Sequence, residues 1–252
     1  MKIGVQMYTI RDYLKTPKEI GSSLKRLKEM GFDMVQISGL GDCDFDELAA
    51  MFKDNGIQTV GTHSPWERIE THAELDKLIE EHLKLGCEQV GIGMIPGSYP
   101  NTYDGYSAFI EKLNETCDQT EKAGLTFGYH NHELEFQKFN GVCAIDRMMT
   151  ECPKLELTLD VFWVQAGGAC PSNYVEKYKN RIRILHLKDF RVLGRERQNA
   201  ELGEGNLDWK AIFSHCAKIP YAVIEQDDDF LVDPFSSLEM SKKFLVESGY
   251  WA

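Results

Sequence analysis

The chain has 252 residues, 42% of them hydrophobic, enough to bury a substantial core as one large α/β barrel or as two small domains. Its formal net charge is −12, from 40 acidic against 28 basic residues, which argues against nucleic acid or an anionic membrane surface as partner, since both are usually met by a basic surface. No apolar run approaches the ~18 residues of a membrane span, and the start lacks a basic segment followed by an apolar one. The scattered cysteines form no CxxC pair, so a cytoplasmic protein with reduced, mostly buried thiols is expected.

The start, MKIGVQMYTIRD, reads as a strand over 2–7. A unit then recurs: an amphipathic helix, a glycine, an apolar strand. "SSLKRLKEMGFDMVQIS" turns at Gly31, "DELAAMFKDNGIQTVGTH" at Gly56, "KLIEEHLKLGCEQVGIG" at Gly86 and "LNETCDQTEKAGLTFGYH" at Gly124. Glycine suits the left-handed residue that ends a helix. Helix starts are marked by Thr16-Pro17-Lys18-Glu19 and by Asp44 to Glu47. The pattern predicts strands over 33–38, 58–63, 89–94, 126–131, 155–161, 182–187 and 221–225. In the second half it predicts helices near 140–151, 171–180, 207–218 and 233–248. Met148 and Met149 read as core, while His72, His82 and His215 read as surface residues of helices.

No linker or composition break divides the sequence, so residues 1–252 are expected to form one domain. Eight strand–helix units predict a single (β/α)8 TIM barrel. A doubly wound sheet is the alternative, but the first strand runs into MYTIRDYLK rather than a glycine-rich phosphate loop.

In such barrels the chemistry sits at the C-terminal strand ends. Those ends carry Gln36, His63, the trio His130-Asn131-His132, Asp160, His186 followed by Lys188 and Asp189, and Glu225. Strands five to eight thus each end in a His, Asp or Glu. Neutral imidazoles and carboxylates are ligands for Mn²⁺, Zn²⁺, Co²⁺ or Mg²⁺ in a site with open positions, and one divalent ion per chain is expected. Asp227-Asp228-Asp229 reads as a solvated loop.

From IGVQMYTIRD through YHNHELEF, LDVFWVQAGG, HLKDF, LGEGNLDW and IEQDDDFLVDPF, nearly the whole chain resembles the xylose isomerase-like barrel superfamily, also called sugar phosphate isomerases/epimerases or AP endonuclease family 2. It is most similar to the branch with a YHNHxxEF fifth strand. The resemblance implies one ion held by residues of strands five to eight, of which Asp160, His186 and Glu225 match the last three. Where many members carry glutamate on strand five, this chain aligns His130, with His132 as the alternate. Trp163 stands where some members place a histidine ligand, and reads equally as an apolar wall for a flat ligand or as core.

The resemblance further implies an enzyme on a sugar, polyol or keto-sugar, working by proton abstraction next to a carbonyl: an isomerase, epimerase, or lyase/dehydratase. Glu225 and His130 are the candidate bases, Lys188 balances charge on oxygen, and His132, Trp163, His63, Arg191 and Glu135 are candidate substrate contacts. Barrels of this family often associate, so the resemblance is compatible with a homo-oligomer. Two competing readings are weighed. An abasic-site endonuclease would need three metals and an Asp-Arg-His pattern that is replaced here by Arg197-Gln198-Asn199; a non-catalytic carbohydrate-binding barrel would be expected to have lost ligands.

Overall fold

The computed structural model of the chain describes residues 1–251. Eight parallel strands form one sheet: β1 (Lys2–Gln6), β2 (Met34–Ile37), β3 (Gln58–Thr62), β4 (Gln89–Ile92), β5 (Thr126–His130), β6 (Glu156–Asp160), β7 (Ile182–Leu187) and β8 (Tyr221–Ile224). Their order is β3-β2-β1-β8-β7-β6-β5-β4. The outer pair meets where Ser64 N–H donates to the Gly91 carbonyl at 2.8 Å, so the barrel is nearly closed. The strands end one or two residues earlier than the sequence pattern suggests at most C-terminal ends.

Helices cover the outside: α1 (Pro17–Glu29), α2 (Phe45–Asn55), α3 (His72–Leu85), α4 (Tyr103–Lys122), α5 (Ala144–Glu151), α6 (Val161–Ala166), α7 (Pro171–Tyr178), α8 (Trp209–Phe213) and α9 (Pro234–Glu247). The four predicted turn glycines all take positive φ, between 58° at Gly56 and 81° at Gly31. Thr16 and Asp44 accept the N–H groups of Glu19 and Glu47 at 3.3 and 3.0 Å, as N-caps do.

Three expectations are corrected. The helix placed over 140–151 begins at Ala144, because Asn140-Gly141, both at positive φ, turn a small hairpin between Lys138–Phe139 and Val142–Cys143. The helix placed over 207–218 is α8 followed by a separate 3-10 turn at Cys216–Lys218. Between β7 and α8 an unforeseen hairpin pairs Asp189–Leu193 with Glu196–Ala200.

Most of the core lies between sheet and helices, and a small second cluster of Met34, Val60, Ile184 and Val223 plugs the barrel interior. On β5 the two roles alternate. Phe127 and Tyr129 join the outer core, whereas the Cβ direction of Gly128 points at the Gln89 side chain and His130 reaches the barrel mouth. That alternation is why an apolar strand ends in ligand-type side chains.

His82 is the clearest departure: it is buried, Nδ1–H donating to the Leu78 carbonyl (2.7 Å) and Nε2 accepting from Thr62 Oγ1 (2.9 Å). Its polar contacts are internal, so it belongs to the core side of α3. His72 is exposed, as expected.

Two outcomes follow. A methyl group at Gly91 would lie 2.3 Å from the Thr62 carbonyl oxygen at the barrel seam. Gly91→Ala should therefore cost ~1–3 kcal/mol or more in urea unfolding, and an unchanged midpoint would show that the seam is not closely packed. Burial lowers the His82 imidazole from its ordinary 6.5 to about 4. As pH falls, the unfolded chain takes up this proton first, so stability present above pH 6.5 is lost between 6.5 and 4, to a total of ~3 kcal/mol. The stability gap between wild type and His82→Gln should narrow over that range; a pH-independent gap would refute the assignment.

Candidate metal centre and active site

Three of the four ligand-type side chains at the barrel mouth have one end tied down by the protein. His130 donates Nδ1–H to the Gly93 carbonyl at 2.8 Å, which turns Nε2 inward. His186 donates Nε2–H to Gln36 Oε1 at 2.6 Å, which turns Nδ1 inward. Gln36 Oε1 also accepts from Gln6 Nε2 at 2.9 Å, so β1 and β2 brace a histidine on β7. Asp160 Oδ1 caps α6 by accepting from the N–H groups of Phe162 (2.8 Å) and Trp163 (3.2 Å), leaving Oδ2 for the site. Asn131 is not a ligand. Its amide clamps the Asp160 backbone, accepting from Asp160 N–H at 2.9 Å and donating to the Asp160 carbonyl at 3.3 Å.

The inward atoms converge. Asp160 Oδ2 is 3.4 Å from His130 Nε2 and 3.8 Å from His186 Nδ1, and Glu225 Oε2 is 2.8 Å from His186 Nδ1 and 4.0 Å from His130 Nε2. All four ligand atoms lie within 4.8 Å of one another, and all four residues are buried. Two imidazoles and two carboxylates fit a divalent ion in donor chemistry, and the far-side partners of His130, His186 and Asp160 fit it in orientation.

The electrostatics fit the same reading. Burial opposes every charge here, yet His186 and Lys188 hold Glu225 down to about 2, and Asp160 is also held low, by Lys188 and the two histidines. The facing carboxylates of Glu225 and Asp160 raise His186 to about 9. In the metal-free chain His186 therefore carries a proton that a metal must displace. Lys188, almost completely buried, is kept charged by Glu225 (3.7 Å), Asp160 (4.0 Å) and Asp227, whose carboxylate accepts from its ammonium. Asp227 thus corrects the reading of its acidic run: it turns inward to the lysine, while Asp228 pairs with Arg11 at 3.1 Å.

A cavity of about 460 Å³ opens above the cluster, lined among others by His63, His130, His132, Trp163, Lys188 and Glu225. His132 lies beyond the end of β5, with its ring 4.9 Å from that of Trp163 and 4.8 Å from that of His130. Burial lowers His132 to about 3 and His63 well below its ordinary value, so both are neutral. Trp163 is a cavity wall, with the Lys188 ammonium 4.9 Å from its ring. Two expected substrate contacts lie elsewhere. Glu135 is fully buried, accepting from Tyr129 O–H and His132 N–H, both at 2.6 Å, so it anchors the loop that carries His132. Arg191 lies on the hairpin and donates to Gln198 at 3.2 Å, away from the cavity lining. Gln6, Trp66 and Asp227 were missed. Gln6 and Asp227 are polar residues at or just past strand ends, a signal present in the sequence, while nothing local marks Trp66.

Asp160→Asn keeps the cap at Oδ1 and removes the inward charge. It should weaken metal binding tenfold or more, with thermal unfolding little changed. His130→Ala should do the same and His132→Ala should not, and wild type should hold one zinc or manganese per chain. Elemental analysis after dialysis decides; three ions per chain, or metal lost only in His132→Ala, would contradict this assignment.

Among proteins of known name, the chain is 26% identical over 171 residues to an inosose dehydratase of Geobacillus thermodenitrificans, covering 58% of this chain and 56% of the relative, little more than half its length. The fold superposes on a sugar phosphate isomerase/epimerase from Parabacteroides distasonis with a TM-score of 0.77, 23% identity and 98% of each chain covered. It also superposes on the IolI protein, solved with a bound zinc atom, with a TM-score of 0.74, 17% identity and 100% of each chain covered. Among the described residues no helix is long and apolar enough to cross a membrane. The family model for the xylose isomerase-like TIM barrel matches residues 24–234, and the chain belongs to that family.

Proposed function

We propose that this chain is a divalent-metal-dependent enzyme that removes a proton next to the carbonyl of a keto-sugar or keto-polyol, and that elimination of water follows. The observation that carries this is the convergence of four inward lone pairs, on His130, Asp160, His186 and Glu225, beneath a cavity that also holds Lys188. When bound, the ion polarises the carbonyl oxygen. Glu225, at the cavity floor, takes the proton from the adjacent carbon, and the electron pair moves toward the carbonyl oxygen. The Lys188 ammonium, fixed by three carboxylates, faces the charge that develops there. The protonated Glu225 returns that proton to the departing hydroxyl, which leaves as water, while the neutral His132 lines the cavity beside it.

The strand-five histidine favours elimination over two-base epimerisation. With His130 where many members carry glutamate, the ligand set holds two carboxylates rather than three and leaves a divalent ion a stronger Lewis acid. The inosose dehydratase likeness supports the same choice. The substrate on this reading is a small sugar or polyol.

The zinc- or manganese-loaded chain should exchange the hydrogen next to the carbonyl of an inosose or ketose in D₂O and release an unsaturated product, both followed by NMR. Lys188→Met should retain its metal and lose ~10²–10³-fold in exchange rate. Undiminished exchange in that variant would remove Lys188 from the mechanism, and exchange giving only an inverted stereocentre would make the enzyme an epimerase.

A further inference from the structure

A second cavity, of about 390 Å³, lies between α2 and α3 and shares the wall Ser38, His63, Ser64 and Pro65 with the cavity above the metal centre. The rest of its lining is mostly apolar, with Ile37, Leu40, Phe45, Leu48, Leu78 and Leu85. Its size falls in the range of small-molecule sites, which are apolar with a few placed polar groups. The one guanidinium in the lining is already taken: Arg68 pairs with Glu81 at 2.9 Å and stands 4.0 Å from Glu74. One cation facing two carboxylates leaves no charge to hold an anionic ligand.

One polar side chain of this lining has its hydrogen-bonding role fixed from behind. The Leu78 carbonyl can only accept, so His82 carries its proton on Nδ1 (2.7 Å), and the neutral ring accepts at Nε2. Thr62 therefore gives its single hydroxyl proton to His82 Nε2 at 2.9 Å. With that proton spent, Thr62 Oγ1 can only accept in its 2.9 Å contact with Ser64 Oγ, so the serine donates. Thr62 and His82 are buried, whereas Ser64, at the outer end of the chain, is half-buried and lines the cavity. Ser64 has committed its proton inward and keeps only lone pairs. A ligand can donate a hydrogen bond to it but cannot receive one from it.

We infer that this cavity is a second small-molecule site, which takes a neutral, mostly apolar molecule ending in a hydroxyl, a phenol being the simplest, whose O–H donates to Ser64 Oγ. The site uses no metal ligand, so its test is separate from that of the enzyme. Calorimetry on the zinc-loaded chain with phenol, anisole and benzoate decides. Phenol should bind at one site per chain. Anisole, which has no proton to give, and benzoate, an anion, should each bind about tenfold more weakly or worse. Ser64→Ala should lower phenol to the affinity of anisole, and Leu48→Trp, which fills the cavity, should abolish phenol binding, both with zinc content unchanged. Anisole or benzoate binding to wild type as tightly as phenol, or phenol affinity unchanged in Ser64→Ala, overturns the ligand class. Phenol binding that survives in Leu48→Trp, or no saturable phenol binding to wild type, overturns the site itself.

Discussion

The constraint on which the rest depends is that His130, His186 and Asp160 each have one polar end satisfied inside the protein and the other aimed at a common point, where Glu225 joins them. Gly93 fixes His130, Gln36 fixes His186, and the first turn of α6 fixes Asp160. None of these partners is itself a ligand. The barrel supplies them because neighbouring strand ends lie side by side: Asp160 sits opposite His186 across β6 and β7, and His186 opposite Val223 on β8, just short of Glu225. Such preorganisation is costly without a counter-charge. Three carboxylates (Asp160, Glu225 and Asp227) against one ammonium (Lys188) leave a net −2 with neutral imidazoles, which one divalent ion cancels. A protonated His186 meets only part of that demand, and unpaired buried charge is among the most destabilising features a fold can carry.

Much of this was legible in the sequence, for identifiable reasons. Periodicity and turn glycines mark the strands because a barrel strand buried on both faces must be apolar until it ends, and the residues that break the apolar run are the ones at the mouth. Asp160, His186 and Glu225 stand out on that ground alone. His130 and His132 did not separate so simply. They lie two apart, share a face, and both line the cavity; what distinguishes them is the carbonyl of Gly93, supplied by the loop after β4. No local pattern encodes that partner.

What stayed hidden was long-range. Glu135 looks like a site residue because it follows the histidines, yet Tyr129 and the His132 backbone consume its oxygens. Asp227 looks like part of a solvated acidic run, yet a buried lysine draws it in. Asp189 follows that lysine at a strand end, but the loop 203–207 folds over it and takes its oxygens. In each case tertiary hydrogen bonding decided which of several carboxylates faces the cavity and which supports the structure behind it. The same division gives the site its chemical character: charge is concentrated at the floor, and the walls carry aromatic rings, among them those of Trp66 and Trp163.

The central claim is that His130, Asp160, His186 and Glu225 would together hold one divalent ion, and zinc K-edge X-ray absorption on the zinc-loaded chain tests it most directly. The account predicts nitrogen and oxygen ligands only, at ~2.0–2.2 Å, with outer-sphere scattering from two imidazoles, those of His130 and His186. A sulfur ligand, or the signature of three imidazoles with His63 or His132 bound to the ion, would contradict it.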